Sequence, residues 1–189
     1  MKTLGNKELG FAARGILTAL VAIAAPMPFD TAASAMDLTS SSFADGGAIP
    51  ERNVLRGFGC LGQNISPALV WRAAPDGTKS FAVTMFDPDA PTDSGWWHWL
   101  LVNIPADTMS LAEGSQPAGA LATRTDFGME GYGGPCAPEG APPHRYVVTV
   151  FALDVEKLPV EASASGAMVS FLLNSHSLAK ATLTGRFGR

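Results

Sequence analysis

Three stretches of this chain are apolar on both of the faces that a β-strand would present. Ser80 to Phe86 is broken inside only by Thr84, Trp97 to Ile104 only by His98 and Asn103, and Tyr146 to Leu153 only by Thr149. Side chains alternate across a strand, so a strand with one wet face alternates apolar and polar residues. These stretches do not alternate, and they read as central strands covered on each side. A sheet with several such strands needs a second layer over it. The 20 Gly and 14 Pro among 189 residues make the chain rich in turns and argue against a helix bundle. The expected fold is therefore mainly β.

Shorter signals fill in the rest. Ala68 to Trp71 reads as a strand that runs toward the turn signal Ala73-Ala74-Pro75-Asp76-Gly77. One segment changes period. Between Ala164 and Ala179, apolar residues fall at Ala164, Ala167, Met168, Phe171, Leu172 and Leu178, which predicts a helix near the C-terminus. Ser163 or Ser165 can cap its start, and Gly166 is a weak point within it. Ala181 to Phe187 reads as a last short strand, and Glu113 to Ala120 as a surface loop. No internal repeat or second domain is visible, so residues 36–189 are expected to form one domain.

The N-terminus differs in kind. Lys2, Lys7 and Arg14 precede a ten-residue apolar run from Ile16 to Ala25, followed by Pro26, Pro28 and the small-x-small sequence Ala33-Ser34-Ala35. That is the order of a secretory signal peptide, and cleavage after Ala35 is expected. A membrane-spanning helix needs about 20 apolar residues, so a permanent anchor is not expected. Glu8 and the length of the basic region depart from the usual pattern, and an amphipathic N-terminal helix is the alternative. Export, to a bacterial periplasm, would make a disulfide between Cys60 and Cys136 favourable. Two buried thiols are the alternative to that bridge. The formal net charge of −4 gives no basic footprint for binding nucleic acid.

Polar residues inside or beside apolar strands carry information, because burying them unpaired costs free energy. Four clusters stand out: Asp87-Pro88-Asp89-Ala90-Pro91, Trp96-Trp97-His98-Trp99, the Gly- and Pro-rich run Gly131 to Gly140, and His144-Arg145-Tyr146. Asp87 and Asp89 are two apart and on a strand would face the same side. His144 and Tyr146 would share one face, with Arg145 on the other. Aromatic surface around a few polar groups is what ligand pockets are made of.

These segments jointly resemble one family. Asp87 to Pro105 (DPDAPTDSGWWHWLLVNIP) and Gly131 to Asp154 (GYGGPCAPEGAPPHRYVVTVFALD) are similar to the phosphatidylethanolamine-binding proteins, which include the Raf kinase inhibitor proteins. Gly59 to Trp71 (GCLGQNISPALVW) adds a third match, and Asn174 to Phe187 (NSHSLAKATLTGRF) resembles the bacterial branch. The resemblance spans roughly Phe43 to Gly188. It implies two antiparallel sheets with a C-terminal helix, and a small anion pocket for phospholipid headgroups or phosphorylated small molecules. It carries over Asp87, Asp89, His98, Pro138, His144 and Tyr146 as ligand-binding residues, with Trp96 as a wall. Many members have proline where this chain has Ala137. The carboxylates would not meet the anion but would hold imidazole N–H groups and raise the pKa of those rings.

Rival functions remain beside a small-anion binder. A protein-interaction module, such as a protease or kinase inhibitor, could use the same pocket. A hydrolase is the weakest reading: the sequence holds no Gly-x-Ser-x-Gly, His-Glu-x-x-His or P-loop motif. No metal or cofactor is expected.

Overall fold

A computed structural model describes residues 35–189. The expected leader, residues 1–35, lies outside the described residues except for Ala35. The elements in chain order are β1 (Asp37–Thr39), a 3₁₀ turn (Glu51–Asn53), β2 (Arg56–Gly57), β3 (Cys60–Leu61), β4 (Leu69–Arg72), β5 (Ser80–Asp87), β6 (Trp96–Pro105), β7 (Ser110–Leu111), β8 (Leu121–Ala122), β9 (His144–Leu153), α1 (Gly166–His176) and β10 (Ser177–Phe187). Five strands form the large antiparallel sheet in the order β10-β9-β5-β6-β8, and three form a small one in the order β1-β4-β7. The fold is mainly β, as expected.

The three doubly apolar stretches are β5, β6 and β9, the inner strands of the large sheet. Their side chains go alternately into two cores. On one face, Phe81, Val83, Met85, Leu101, Val148 and Val150 pack with Leu38, Leu69 and Trp71 of the small sheet. On the other, Ala82, Leu100, Val102, Phe151 and Leu153 pack with Val169 and Leu173 of α1 and with Leu158. Each fully buried Leu or Val side chain contributes roughly 1.5–3 kcal/mol by leaving water.

The helix differs from its expected limits. It begins at Gly166, capped by Ser165, whose hydroxyl accepts from the Met168 N–H at 3.3 Å. Gly166 is not a weak interior point but the place where the helix start lies against Trp97: a Cβ there would collide with the indole ring. The helix ends at His176, and Leu178 belongs to β10. That strand pairs along the whole of β9, from Phe187 opposite His144 to Ser177 opposite Leu153. The ladder supplies more backbone hydrogen bonds than one further helical turn could.

Two bulges in β6 position the site. One sits at Asn103, in left-handed conformation at φ 59°, whose side chain accepts from the Leu158 N–H at 2.8 Å. The other falls at His98: Met85 faces Trp99, and the next residue, Phe86, faces Trp97. His98 is the extra residue. Strict alternation would send it to the helix side with Leu100 and Val102; the bulge turns it to the opposite face.

Cys60 and Cys136 are joined in a disulfide that spans 76 residues with Cα atoms 5.9 Å apart. In the chain-entropy account such a cross-link stabilises by about 4 kcal/mol. It ties the β2–β3 hairpin to the Gly/Pro-rich run. The hairpin turns at Phe58-Gly59, both at positive φ (51° and 82°), the geometry of the two-residue turns that match strand twist.

Candidate functional site

The ends of β5, β6 and β9 meet at one edge of the large sheet, on the face that also packs against the small sheet. There they floor a cavity of about 170 Å³ lined by Asp87, Trp96, His98, Pro138 and His144, with Phe58 and Phe127 at its wall. Asp89 and Tyr146 are not among the residues that line it. Tyr146 lies fully buried behind His98, its ring 5.1 Å from the imidazole.

The two carboxylates of the turn take different roles. Asp87 is buried, and both its oxygens are engaged: Oδ1 accepts from the Asp89 N–H at 2.8 Å and Oδ2 from His144 Nδ1 at 2.8 Å. Asp89 is exposed and turned outward. Its oxygens accept from the Arg145 backbone N–H at 2.9 Å, from Nε at 2.9 Å and from Nη2 at 2.6 Å. The Arg145 guanidinium holds the Asp89 carboxyl down at about 2. The two carboxylates do not share a side, because β5 ends at Asp87 and Asp89 belongs to the turn beyond it. Asp89 therefore fixes the turn to β9 and stays out of the cavity. His144 and Tyr146 do share a face, with Arg145 on the other.

The histidines also differ from one another. His144 is held by a carboxylate, as expected. His98 is not: its Nδ1 lies 2.9 Å from the Gly133 carbonyl and 3.0 Å from that of Gly134. Burial pushes its pKa below the ordinary value, and the carbonyls and the more distant Asp87 and Asp126 only partly offset this. The expectation of a carboxylate-raised imidazole thus fails at His98, since peptide carbonyls occupy the place of the acid.

Two buried donors at this edge have no hydrogen-bond acceptor among the described residues: Trp96 Nε1–H and the Tyr146 O–H. Burial, followed by the Asp87 charge, raises the Tyr146 pKa far above its ordinary value, and the Cys136 backbone lowers it only in part, so the phenol keeps its proton. Buried polar atoms are normally satisfied, so unpaired donors beside a cavity are candidates for ligand contact.

The loop over the cavity is held by residues that the sequence reading did not single out. Asn64, at φ 58°, donates from Nδ2 to the Tyr132 carbonyl at 2.9 Å and accepts at Oδ1 from the Gly134 N–H at 2.8 Å. Gly134 passes so close to the Asn53–Leu55 backbone that a Cβ would overlap it. Pro138 follows Ala137, which is buried and whose carbonyl accepts from Arg189 Nε at 2.8 Å. Ala137 is thus fixed by burial, the arginine and the adjacent disulfide. Phe58 packs at 5.3 Å on Phe127, which also meets Trp96 and His98. Only the left-handed turn that aims Phe58 back over the cavity makes it a wall residue, and no local pattern marks that turn.

Among the described residues no group of three or more His, Cys, Asp or Glu side chains is arranged to hold a metal ion. The arrangement can offer hydrogen-bond donors to a small oxyanion, with an aromatic wall on one side.

Known proteins share this architecture and sequence. The Escherichia coli (strain K12) UPF0098 protein YbhB is 52% identical over 158 residues, covering 80% of this chain and 99% of its own. A UPF0098 protein of Aquifex aeolicus is 39% identical over 165 residues, covering 85% and 93%. The crystal structure of E. coli YbcL, described as a new member of the mammalian PEBP family, superposes with a TM-score of 0.80 at 45% identity, covering 82% of this chain and 99% of that one. The family described as phosphatidylethanolamine-binding protein matches residues 39–188, and the chain belongs to that family.

Proposed function

We propose that the cavity binds a small phosphate-bearing ligand, either a phosphorylated small molecule or a phospholipid headgroup. The observation that carries this reading is that His144, oriented by Asp87, and Trp96, whose buried Nε1 has no partner among the described residues, line one cavity, with the Tyr146 hydroxyl buried behind His98. Nδ1 of His144 faces a carboxylate, so when the ring is protonated its Nε2–H is free for a ligand. The cavity, about 170 Å³, is below the roughly 300 Å³ at which sites for drug-sized ligands begin, which suits a headgroup and not acyl chains. Titration calorimetry with inorganic phosphate tests the reading. Wild type should bind, and His144→Ala should weaken binding about tenfold or more, the loss of one charge-assisted hydrogen bond. Unchanged affinity in the variant would move the site elsewhere.

A protein-interaction role draws its support from Phe58 and Leu61, which are 72% and 85% exposed on the hairpin beside the cavity. Such apolar side chains on a rigid turn suit a partner surface, and a pull-down with Phe58→Ser as control tests it.

The same proposal places the protein outside the cytoplasm. The leader-like order of residues 1–35 and the Cys60–Cys136 bridge support export, since disulfides persist in oxidising compartments. Intact mass of protein recovered from the periplasm should show a start at Met36. Recovery of the full-length chain alone, from the cytosol, would overturn export.

A further inference from the structure

The β2–β3 hairpin stands between two openings. Phe58 walls the edge cavity, while β3 borders a separate groove of about 370 Å³. Residues 59–62 and 187–189 line that groove together with Glu51 and Val54, and none of them lines the edge cavity. Its size falls within the roughly 300–1,000 Å³ typical of ligand sites.

The register of the hairpin determines what β3 offers there. Gly57 faces Cys60 and Arg56 faces Leu61, and beyond them the Gly62 N–H donates to the Leu55 carbonyl at 3.0 Å. Bonded and unbonded pairs alternate along an antiparallel ladder, so Arg56–Leu61 is an unbonded pair between two bonded positions. The Leu61 N–H and C=O therefore point away from β2, and neither has a partner among the described residues. This edge is held in place. Cys60 is bonded to Cys136, a Cβ at Gly62 would overlap the Val54 backbone, and Arg189 donates to the carbonyls of Phe58, Gly59 and Ala137. A fixed strand edge with a free donor and a free acceptor is a template for another strand.

The side chains around the edge select what that strand carries. Val54 and Phe187 give the groove an apolar lining, and Leu61 itself is largely exposed. Of the two charged residues, Arg189 directs its donors to those three carbonyls. Glu51 is exposed and has no ion-pair partner among the described residues. We infer that the groove receives an extended peptide segment of a protein partner. One residue of that segment exchanges both backbone hydrogen bonds with Leu61, an apolar side chain packs on Val54 and Phe187, and a Lys or Arg side chain meets Glu51. This deepens the protein-interaction reading, on which it rests for the existence of a partner, and is independent of the anion site.

Capped, fluorescently labelled octapeptides test it by anisotropy on the oxidised protein. The salt is about 0.15 M, where long-range attraction between exposed charges is largely screened. In the three peptides Val alternates with Lys, with Glu or with Ser. The Val-Lys peptide should bind about fivefold tighter than Val-Ser, with Val-Glu the weakest. Leu61→Pro deletes a donor that the hairpin does not use and should weaken the Val-Lys peptide about tenfold. Leu61→Ala, which keeps the N–H, should lose less. Glu51→Gln should bring Val-Lys to the level of Val-Ser. In a ¹H–¹⁵N spectrum the Leu61 amide peak should move with the peptide while the Trp96 indole peak stays; if Leu61→Pro does not fold, this peak decides alone. Equal binding of all three peptides, or undiminished binding to Leu61→Pro, would overturn the inference. So would self-association of the free protein that Leu61→Pro abolishes, which would make a second copy the occupant. If no peptide binds and the pull-down still captures a partner through Phe58, the groove assignment fails and the protein-interaction reading stands. No peptide and no partner would overturn both.

Discussion

Two tryptophans show how differently the core between the sheets and the site edge of the large sheet are built. Trp71 and Trp96 each bury an indole N–H that no group among the described residues accepts. Trp71 is fully enclosed between the sheets within an apolar cluster, its ring 5.4 Å from Phe81. Its unpaired N–H is a cost carried by a large contact area. Trp96 lies at the edge where β5, β6 and β9 end, beside a cavity, a second unpaired donor and the His144–Asp87 pair. The same unpaired donor is thus a by-product of packing in one place and, on the proposed reading, a ligand contact in the other. An unpaired buried group becomes evidence of function only when open space and complementary groups adjoin it.

Substitution separates the two most sharply. Trp71→Ala should cost about 4 kcal/mol of stability, the usual loss for a buried aromatic with its cavity, and should leave phosphate affinity unchanged if the fold persists. Trp96→Ala should cost clearly less stability and abolish measurable phosphate binding. Urea denaturation paired with calorimetry on both variants gives the comparison, and equal stability losses with equal binding would dissolve it.

A smaller effect distinguishes the two carboxylates of the turn. Asp89 has a folded pKa of about 2 against an ordinary 3.8, depressed mainly by the Arg145 guanidinium. A depressed carboxyl contributes stability that is present above about pH 4 and is lost as pH falls through 2. The pair is exposed, so the loss should be shallow. Stability of wild type should decline through this window more than that of Asp89→Asn. Identical acid profiles would show that the ion pair does not contribute.

How much of this was legible in the sequence follows from the range of the interactions. The three inner strands were visible because burial on both faces leaves a local mark, and Tyr146 beside His144 followed from period two. The helix limit was misplaced because β10 answers to β9, more than twenty residues away. His98 stood out as a polar residue among tryptophans, and the family resemblance gave it a ligand role, but its face was not legible: alternation would have given it to the helix face, and the bulge that turns it depends on pairing with β5. Asp89 was misdirected because the strand it was assigned to stops two residues earlier. Asn64, Phe58 and Phe127 carry no local mark, since their roles arise only when hairpin, loop and disulfide come together.

The central proposal, that the edge cavity receives a phosphate-bearing anion on donors left unpaired among the described residues, is tested most directly by the indole N–H resonances. The chain has four tryptophans, so a ¹H–¹⁵N spectrum of the labelled protein contains four such peaks, assignable with Trp96→Phe and Trp71→Phe. Titration with inorganic phosphate should move the Trp96 Nε1–H peak downfield in a saturable way and leave that of Trp71 in place. A Trp96 peak that stays fixed while phosphate binds, or that moves no more than the Trp71 peak, would contradict the account.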